Sequence, residues 1–287
     1  MSFPNTAPYR KEKTVNHMRK TPKLALSSRY SIKAEELIAF CREAGLDGIE
    51  YTIQSETKEG LDQEFANMKK LADSGIEIRY HLQFKTVEPA HKDPEFAARS
   101  VRYYKDCMDV ISKLGGRHII IHLCLNYKFN MEEMCFESAK RNTKEIVDYA
   151  REKGITVCLE NLTFGFTCET DPYLTLIRES GADENVDIGH VSASPIVMNN
   201  IITEEEYIGK IIPHTVSSHV YKIEINDDVL RKGWHIAPDK KEDMESRLNL
   251  LLSGHSDWWL IELGDREEIL RTKRLIDEIC ADYGCGE

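Results

Sequence analysis

Short apolar runs alternate along this chain with stretches whose apolar residues recur every three or four positions, and a glycine commonly separates them. Leu24, Ala25 and Leu26 form the first run, predicting a strand over 23–28. Leu37, Ile38 and Cys41 then recur at helical spacing behind a candidate cap at Ser31, and Gly45 ends that helix. A second strand is predicted over 47–53; Phe65, Met68 and Leu71 share one face of a helix over 62–74, which Gly75 stops. The same cadence predicts strands over 76–84, 117–125, 155–161, 185–188, 215–221 and 258–263, with helices over 94–114, 132–153, 171–180, 204–211, 240–252 and 267–283. Strict strand–helix alternation implies parallel strands, and eight such units imply closure. The expected fold is therefore α/β, a single (β/α)8 TIM barrel over 23–287 preceded by an N-terminal arm over 1–22. An open doubly wound sheet is disfavoured because no GxGxxG turn follows the first strand.

A chain of 287 residues suits one such barrel, which typically takes about 250. No apolar run approaches the roughly 18 residues that cross a bilayer, so a membrane address is not expected. With 38 basic against 49 acidic residues the net charge is −11, which repels a phosphate backbone and disfavours a nucleic-acid partner. The basic residues scattered between Arg10 and Lys23 enclose no apolar segment, so neither a signal peptide nor an anchor is expected there. That arm is expected either to wrap a second subunit of a homo-oligomer or to be disordered. The eight cysteines include no CxxC pair, which points to free, mostly buried thiols and a reducing, cytoplasmic setting.

In a barrel of this kind functional groups sit at the C-terminal strand ends. Those positions carry His81, His122, Glu160, Asp187, His190, His219 and Glu262. Any one of them alone reads as a packed histidine or a solvated acid. Together on successive strands they would bury several carboxylates side by side, which is unfavourable unless protons or a cation neutralise them. One divalent ion is the economical expectation, and a mixed nitrogen and oxygen donor set suits manganese, zinc, cobalt or iron. Cys124 and Cys158 lie two residues from His122 and Glu160; alternation points them inward too, as small core residues.

The segments Glu160-Asn161-Leu162, Asp187-Ile188-Gly189-His190, Ser218-His219 and Ile261-Glu262-Leu263 resemble the xylose isomerase-like barrel superfamily, over a span from about Lys23 to Tyr283. That superfamily includes sugar and sugar-phosphate isomerases and epimerases, inosose-type dehydratases and type IV apurinic endonucleases. The resemblance implies that Glu160, Asp187, His219 and Glu262 bind one divalent metal and that His190 contacts substrate or a further metal. The multi-zinc endonucleases also use histidines matching His81 and His122, and an Asp-x-His pair. Here that pair reads Gly233-Trp234-His235, so His235 is kept and the aspartate is not, and Lys222 stands where an aspartate is common. These departures, with the acidic net charge, weigh against a three-metal site acting on DNA.

The expected function is a divalent-metal-dependent isomerase or epimerase acting on a sugar, polyol or related hydroxy-carbonyl compound. Glu160 and Glu262 would abstract and return a proton through a metal-stabilised enediolate. A dehydratase or lyase on the same scaffold is the next reading, then an apurinic-endonuclease-like phosphodiester hydrolase, then a non-catalytic barrel subunit. The loop over 162–169, with Phe164, Gly165 and Phe166, is expected to close over a small-molecule substrate or to pack on the barrel. Trp234 would stack on substrate or anchor its loop, and Arg29, Glu50, Lys128 and Lys222 are candidate mouth residues. No glycine-rich phosphate cradle is present, so nothing in the sequence favours a phosphorylated substrate.

Overall fold

The structure is a computed structural model describing residues 21–124, 131–227 and 232–285. Its strands are β1 (Lys23–Ser27), β2 (Gly48–Thr52), β3 (Glu77–Leu82), β4 (His118–Ile121), β5 (Thr156–Glu160), β6 (Asp183–Asp187), β7 (Thr215–Val220), β8 (Ile223–Asp227), β9 (Lys232–Ile236) and β10 (Trp258–Ile261). Eight of them close into a parallel barrel in the order β1-β10-β7-β6-β5-β4-β3-β2, as the strand–helix alternation predicts; β8 and β9 form a separate antiparallel hairpin. The helices are α1 (Ala34–Glu43), α2 (Lys58–Ala72), α3 (Pro94–Lys113), α4 (Phe136–Glu152), α5 (Thr170–Ser180), α6 (Ile188–Ala193), α7 (Pro195–Met198), α8 (Glu204–Ile211), α9 (Glu245–Ser253) and α10 (Arg266–Tyr283).

Alternation sorts the barrel residues into two sets. Leu24, Leu26, Ile49, Tyr51, Tyr80, Leu159, Val186, Val220, Trp259 and Ile261 belong to the main core that joins strands to helices. Ala25, Trp258 and Leu260 form a small separate cluster within the barrel. Trp258 fills its lower end, with the Arg79 guanidinium 4.2 Å from the ring centroid. Gly48 makes room for it, because a Cβ there would lie 2.2 Å from the indole. Above this plug the inward positions turn polar. Ser217 donates to Asn185 Oδ1 at 2.7 Å, and Asn185 donates to Glu160 Oε2 at 2.9 Å. A hydrophobic base and a buried polar floor thus carry the strand ends at the mouth.

Several boundaries differ from the sequence reading for identifiable reasons. Ser31 does not cap α1: the N-cap is Lys33, and Ser31 Oγ instead donates to Glu36 Oε2 at 2.6 Å. The sixth strand begins earlier than its apolar residues suggest, and Ile188 opens α6. Asp187 is the N-cap of that helix, its Oδ1 accepting from His190 N at 2.7 Å. The β8–β9 hairpin was not expected. All eight cysteines are free, and Cys158 is fully buried. Among the described residues no helix is long and apolar enough to cross a membrane. Of the arm over 1–22 only Thr21 and Pro22 are described, and Lys128 and Leu125 lie outside the described residues.

Candidate metal centre

The pairing of Glu160-Asn161 with Asp187-Ile188-Gly189-His190 has a local structural cause. Asn161 Oδ1 accepts from Asp187 N at 2.8 Å and its Nδ2 donates to Asp187 O at 3.1 Å, so one amide ties the ends of β5 and β6 together. The carbonyl of Asn161 accepts from His190 Nδ1 at 2.8 Å. Asp187 spends Oδ1 on its helix cap, and Oδ2 accepts from the Tyr221 hydroxyl at 3.0 Å. Both acids are therefore fixed before any ligand arrives.

Their target is His219, fully buried on β7. Its Nδ1 lies 3.0 Å from Glu160 Oε2, 3.1 Å from Glu262 Oε2 and 3.7 Å from Asp187 Oδ2. On the opposite edge of the ring, Nε2 lies 2.9 Å from Glu50 Oε1, which also stands 3.2 Å from His81 Nδ1. A second group adjoins the first. His81 Nε2 and His122 Nε2 are 2.9 Å apart, with Glu160 Oε1 3.1 Å from His122 Nε2. A third lies nearer solvent, where His190 Nε2 and His235 Nε2 approach Glu224 Oε2 at 3.0 and 3.2 Å. Arg29 closes the ring, donating from Nε to Glu262 Oε1 at 3.0 Å.

The donors at this mouth fit a divalent cation. Both nitrogens of His219, both oxygens of Glu50, His122 Nδ1 and Glu262 Oε2 are buried without an aligned hydrogen bond. Burying such atoms unpaired costs free energy. Tetrahedral bonds of about 2.1 Å would put ligand atoms ~3.4 Å apart, close to the spacings around His219 Nδ1. Glu160, Asp187 and His219 each offer an atom within 4.8 Å of the others, as do His81, His122 and Glu160.

The electrostatics agree. Burial would raise the Glu160 carboxyl, but the His219 and His122 rings outweigh it and hold it well below the usual range. Burial is likewise outweighed at Glu262, by Arg29, His235 and His219. At Glu50, His219 and His81 overcome burial and bring the carboxyl down to about 2. His219 moves the other way: burial lowers it, yet Glu160, Glu50 and Glu262 raise it well above its ordinary value. His190 is raised to about 10, with Asp187 and Glu224 overcoming burial. These carboxylates draw positive charge onto whatever stands among them.

A sequence model of the xylose isomerase-like TIM barrel family matches residues 38–277. The chain belongs to that family. An uncharacterized protein of Methanocaldococcus jannaschii is 27% identical over 176 residues, which is 61% of this chain and 72% of that one. Among solved structures, a D-tagatose 3-epimerase-like protein superposes with TM-score 0.69 at 17% identity, covering 91% of this chain and 98% of its own. An L-ribulose 3-epimerase gives 0.68 at 15%, covering 92% and 96%. A structure named IOLI protein with a binding zinc atom gives 0.62 at 16%, covering 91% and 97%. At these identities the likeness to solved structures establishes the fold.

Within this xylose isomerase-like barrel, Glu160, Asp187, His219, Glu262, His81, His122, His190 and His235 come together at one mouth. Lys222 does not join them: its ammonium is 3.2 Å from Asp243. Trp234 alternates to the opposite face of the hairpin from Gly233 and His235, opposite Ile225. Glu224 and Tyr221 complete the group without having been singled out by the sequence. Phe164 lines the mouth, whereas Phe166 packs on Phe136 with centroids 5.1 Å apart.

Glu50 touches two of the histidines from behind, where a carboxylate holds imidazole ligands in orientation and raises their basicity. Glu50→Gln is expected to keep the fold and to weaken divalent-metal affinity by ~10–100-fold. Competition with a chromophoric chelator reads that change, and unaltered affinity would remove Glu50 from the metal-holding machinery.

Proposed function

We propose that the chain is a divalent-metal-dependent isomerase or epimerase acting on a sugar, polyol or related hydroxy-carbonyl compound. The observation that carries this reading is the placement of two ionised carboxylates on one focus. Glu160 on β5 and Glu262 just after β10 reach His219 Nδ1 at 3.0 and 3.1 Å from strands that β6 and β7 separate in the barrel order. A substrate carbon between them meets a proton acceptor on each side.

Glu160, Asp187, His219 and Glu262 would hold the metal, which when bound supplies Lewis acidity that lowers the barrier to removing a proton beside a carbonyl. Both glutamates are ionised at neutral pH, so one accepts that proton directly, and the other delivers one only after taking it up from solvent. Delivery to the opposite face of the same carbon epimerises, delivery to the neighbouring carbon isomerises, and loss of hydroxide dehydrates. The cavity beside the site, about 470 Å³, has the size of a small-molecule pocket. Arg29, Gln54, Gln83 and Thr163 give it hydrogen-bonding walls for hydroxyl groups, and Phe164 an apolar one. The names of the two 3-epimerase neighbours support the same chemistry.

The test is proton exchange. The metal-loaded protein is incubated in D2O with a panel of ketoses, aldoses and inososes, and each is followed by NMR. Deuterium is expected at the carbon beside the carbonyl of at least one, and its stereochemistry separates epimerisation from isomerisation. A panel that stays fully protonated with metal-loaded protein counts against the reading.

A second reading, phosphodiester hydrolysis, is favoured by the His81, His122 and Glu160 group beside the first, since paired metals clamp both oxygens of an in-line displacement. The net charge of −11 opposes a DNA substrate. Cleavage of an abasic-site duplex, without deuterium exchange in sugars, would replace the first reading by this one.

A further inference from the structure

We infer that Glu88, a buried acid that the proton transfer does not use, is a positioning residue: through Cys124 it seats the turn that carries Phe164 onto the cavity, a role that rests on the isomerase reading for what the cavity holds. Glu88 lies in the connection between β3 and α3 and is 3% exposed. Burial pushes its carboxyl up to about 7 against two amides that lower it, so the charged form is costly to keep there. A turn alone does not ask for it. Oε1 accepts from Ala90 N at 2.8 Å, two residues on, a bond that a serine or asparagine supplies in ordinary turns. The second oxygen crosses to the exit of β4, where Oε2 accepts from Cys124 N at 2.7 Å.

At Cys124 the backbone turns left-handed, with a φ of 61° that a cysteine, unlike a glycine, adopts at a cost. Such a conformation persists only where its surroundings hold it. The bond from Cys124 N to a carboxylate is of the strong, charge-assisted kind. Glu88 is itself fixed: its N–H donates to Ser100 Oγ on α3 at 2.9 Å, and Asn142 on α4 donates to the neighbouring Pro89 carbonyl at 2.6 Å. Two helices therefore anchor the carboxylate, and the carboxylate anchors the backbone at 124.

On its other side Cys124 meets the turn after β5. A Cβ at Gly165 would lie 2.8 Å from Cys124 Cβ, and the backbone N–H of Phe166 faces the Cys124 sulfur. A glycine at 165, with φ 79°, lets the two segments lie this close. The turn is braced within itself, Leu162 N donating to Thr167 Oγ1 at 3.2 Å and Cys168 Sγ to the Gly165 carbonyl at 3.1 Å, so it moves as a body. Phe164, the residue before Gly165, lines the cavity. His122 is held separately, its carbonyl accepting from the Tyr104 hydroxyl at 3.3 Å. Loss of the Glu88 bond is thus expected to shift Phe164 and to leave the metal donors in place.

The experiment compares full-length, metal-loaded native protein with two variants. Glu88→Gln keeps the volume but offers one acceptor oxygen to two amides, and Glu88→Asp keeps the charge but falls a methylene short; either one that shows native circular dichroism carries the test. Hydrogen-exchange mass spectrometry over 162–168 is expected to show exchange quickened by about tenfold or more, the scale of one lost hydrogen bond to a charged group, with metal content unchanged. Unchanged exchange over 162–168, or a change confined to 86–92, overturns the proposal. That arm needs no substrate, so it decides the role of Glu88 even where the isomerase reading fails. On a substrate that shows deuterium exchange, KM is expected to rise by roughly threefold or more with kcat within about twofold of native. Beside Phe164→Ala the substitution at Glu88 is expected to add nothing further, because a residue that acts through Phe164 loses its effect with it. An unchanged KM, or an effect that persists in full beside Phe164→Ala, overturns the proposal as well.

Discussion

Glu160→Gln is expected to lower turnover by at least ~10³-fold, the scale of a lost general acid or base. No other side chain at the mouth has so many obligations. Its Oε2 lies 3.0 Å from His219 Nδ1 and accepts from Asn185, while its Oε1 lies 3.1 Å from His122 Nε2 and 3.4 Å from His190 Nδ1. Glutamine preserves the volume and one carbonyl oxygen, so the barrel is expected to fold. What it removes is the negative charge shared by two groups of donors, and with it the capacity to take a proton. Glu262→Gln is the informative partner, because Glu262 is bound to Arg29 as well and serves fewer histidines. The measurement is the steady-state rate on whichever substrate shows deuterium exchange, with metal content determined on the same samples. A Glu160→Gln protein that retains metal and more than about a tenth of native kcat would sink the proton-transfer assignment. Loss of both metal and rate assigns Glu160 to the ligand set first.

The barrel was legible because each strand is a short apolar run and each strand end has a fixed meaning in a closed parallel barrel. That rule found His81, His122, Glu160, Asp187, His219 and Glu262 by position. It had no purchase on the hairpin, which belongs to no barrel strand. Lys222-Ile223-Glu224-Ile225 does alternate, a period-2 signal, but its partner strand opens with Lys232-Gly233 and offers little apolar pattern. Nothing in that local pattern separates Glu224 from a solvated acid. Only the antiparallel register, which sets Glu224 against His235, turns it inward. The sixth strand was misplaced for a related reason: Asp183 and Glu184 look like loop residues, and burial of Glu184 is visible only in three dimensions.

Removing the metal is expected to reverse the way stability depends on pH. In the stripped protein the site is held by ion pairs between carboxylates and protonated histidines. Glu50, with a folded pKa of about 2, and Glu160 and Glu262, also depressed, contribute stability that is present above their unfolded values of about 4.3 and is lost as pH falls. His190, raised to about 10, and His219, also raised, contribute stability that is complete below about 6.5 and is lost as pH climbs toward their folded values. At the site His122, lowered by burial, opposes them; His118 at the start of β4, lowered for the same reason, opposes them equally in the loaded and stripped forms. The stripped protein should thus melt highest between about pH 4.5 and about pH 6.5 and lower at each step above. With metal bound, His219 must be neutral to serve as a ligand, so protons compete with the ion and stability rises with pH across the neutral range. Glu88 and Glu184, pushed up to about 7 and about 8 by burial, lower stability with rising pH in both forms and drop out of the comparison. The gap between loaded and stripped melting curves should therefore widen from about pH 5.5 to about pH 8.5, reaching the ~4 kcal/mol expected at a thousandfold excess over Kd. Parallel pH dependences, or a stripped protein that stabilises as pH rises through 7, would show that the histidines do not carry the charge a metal replaces.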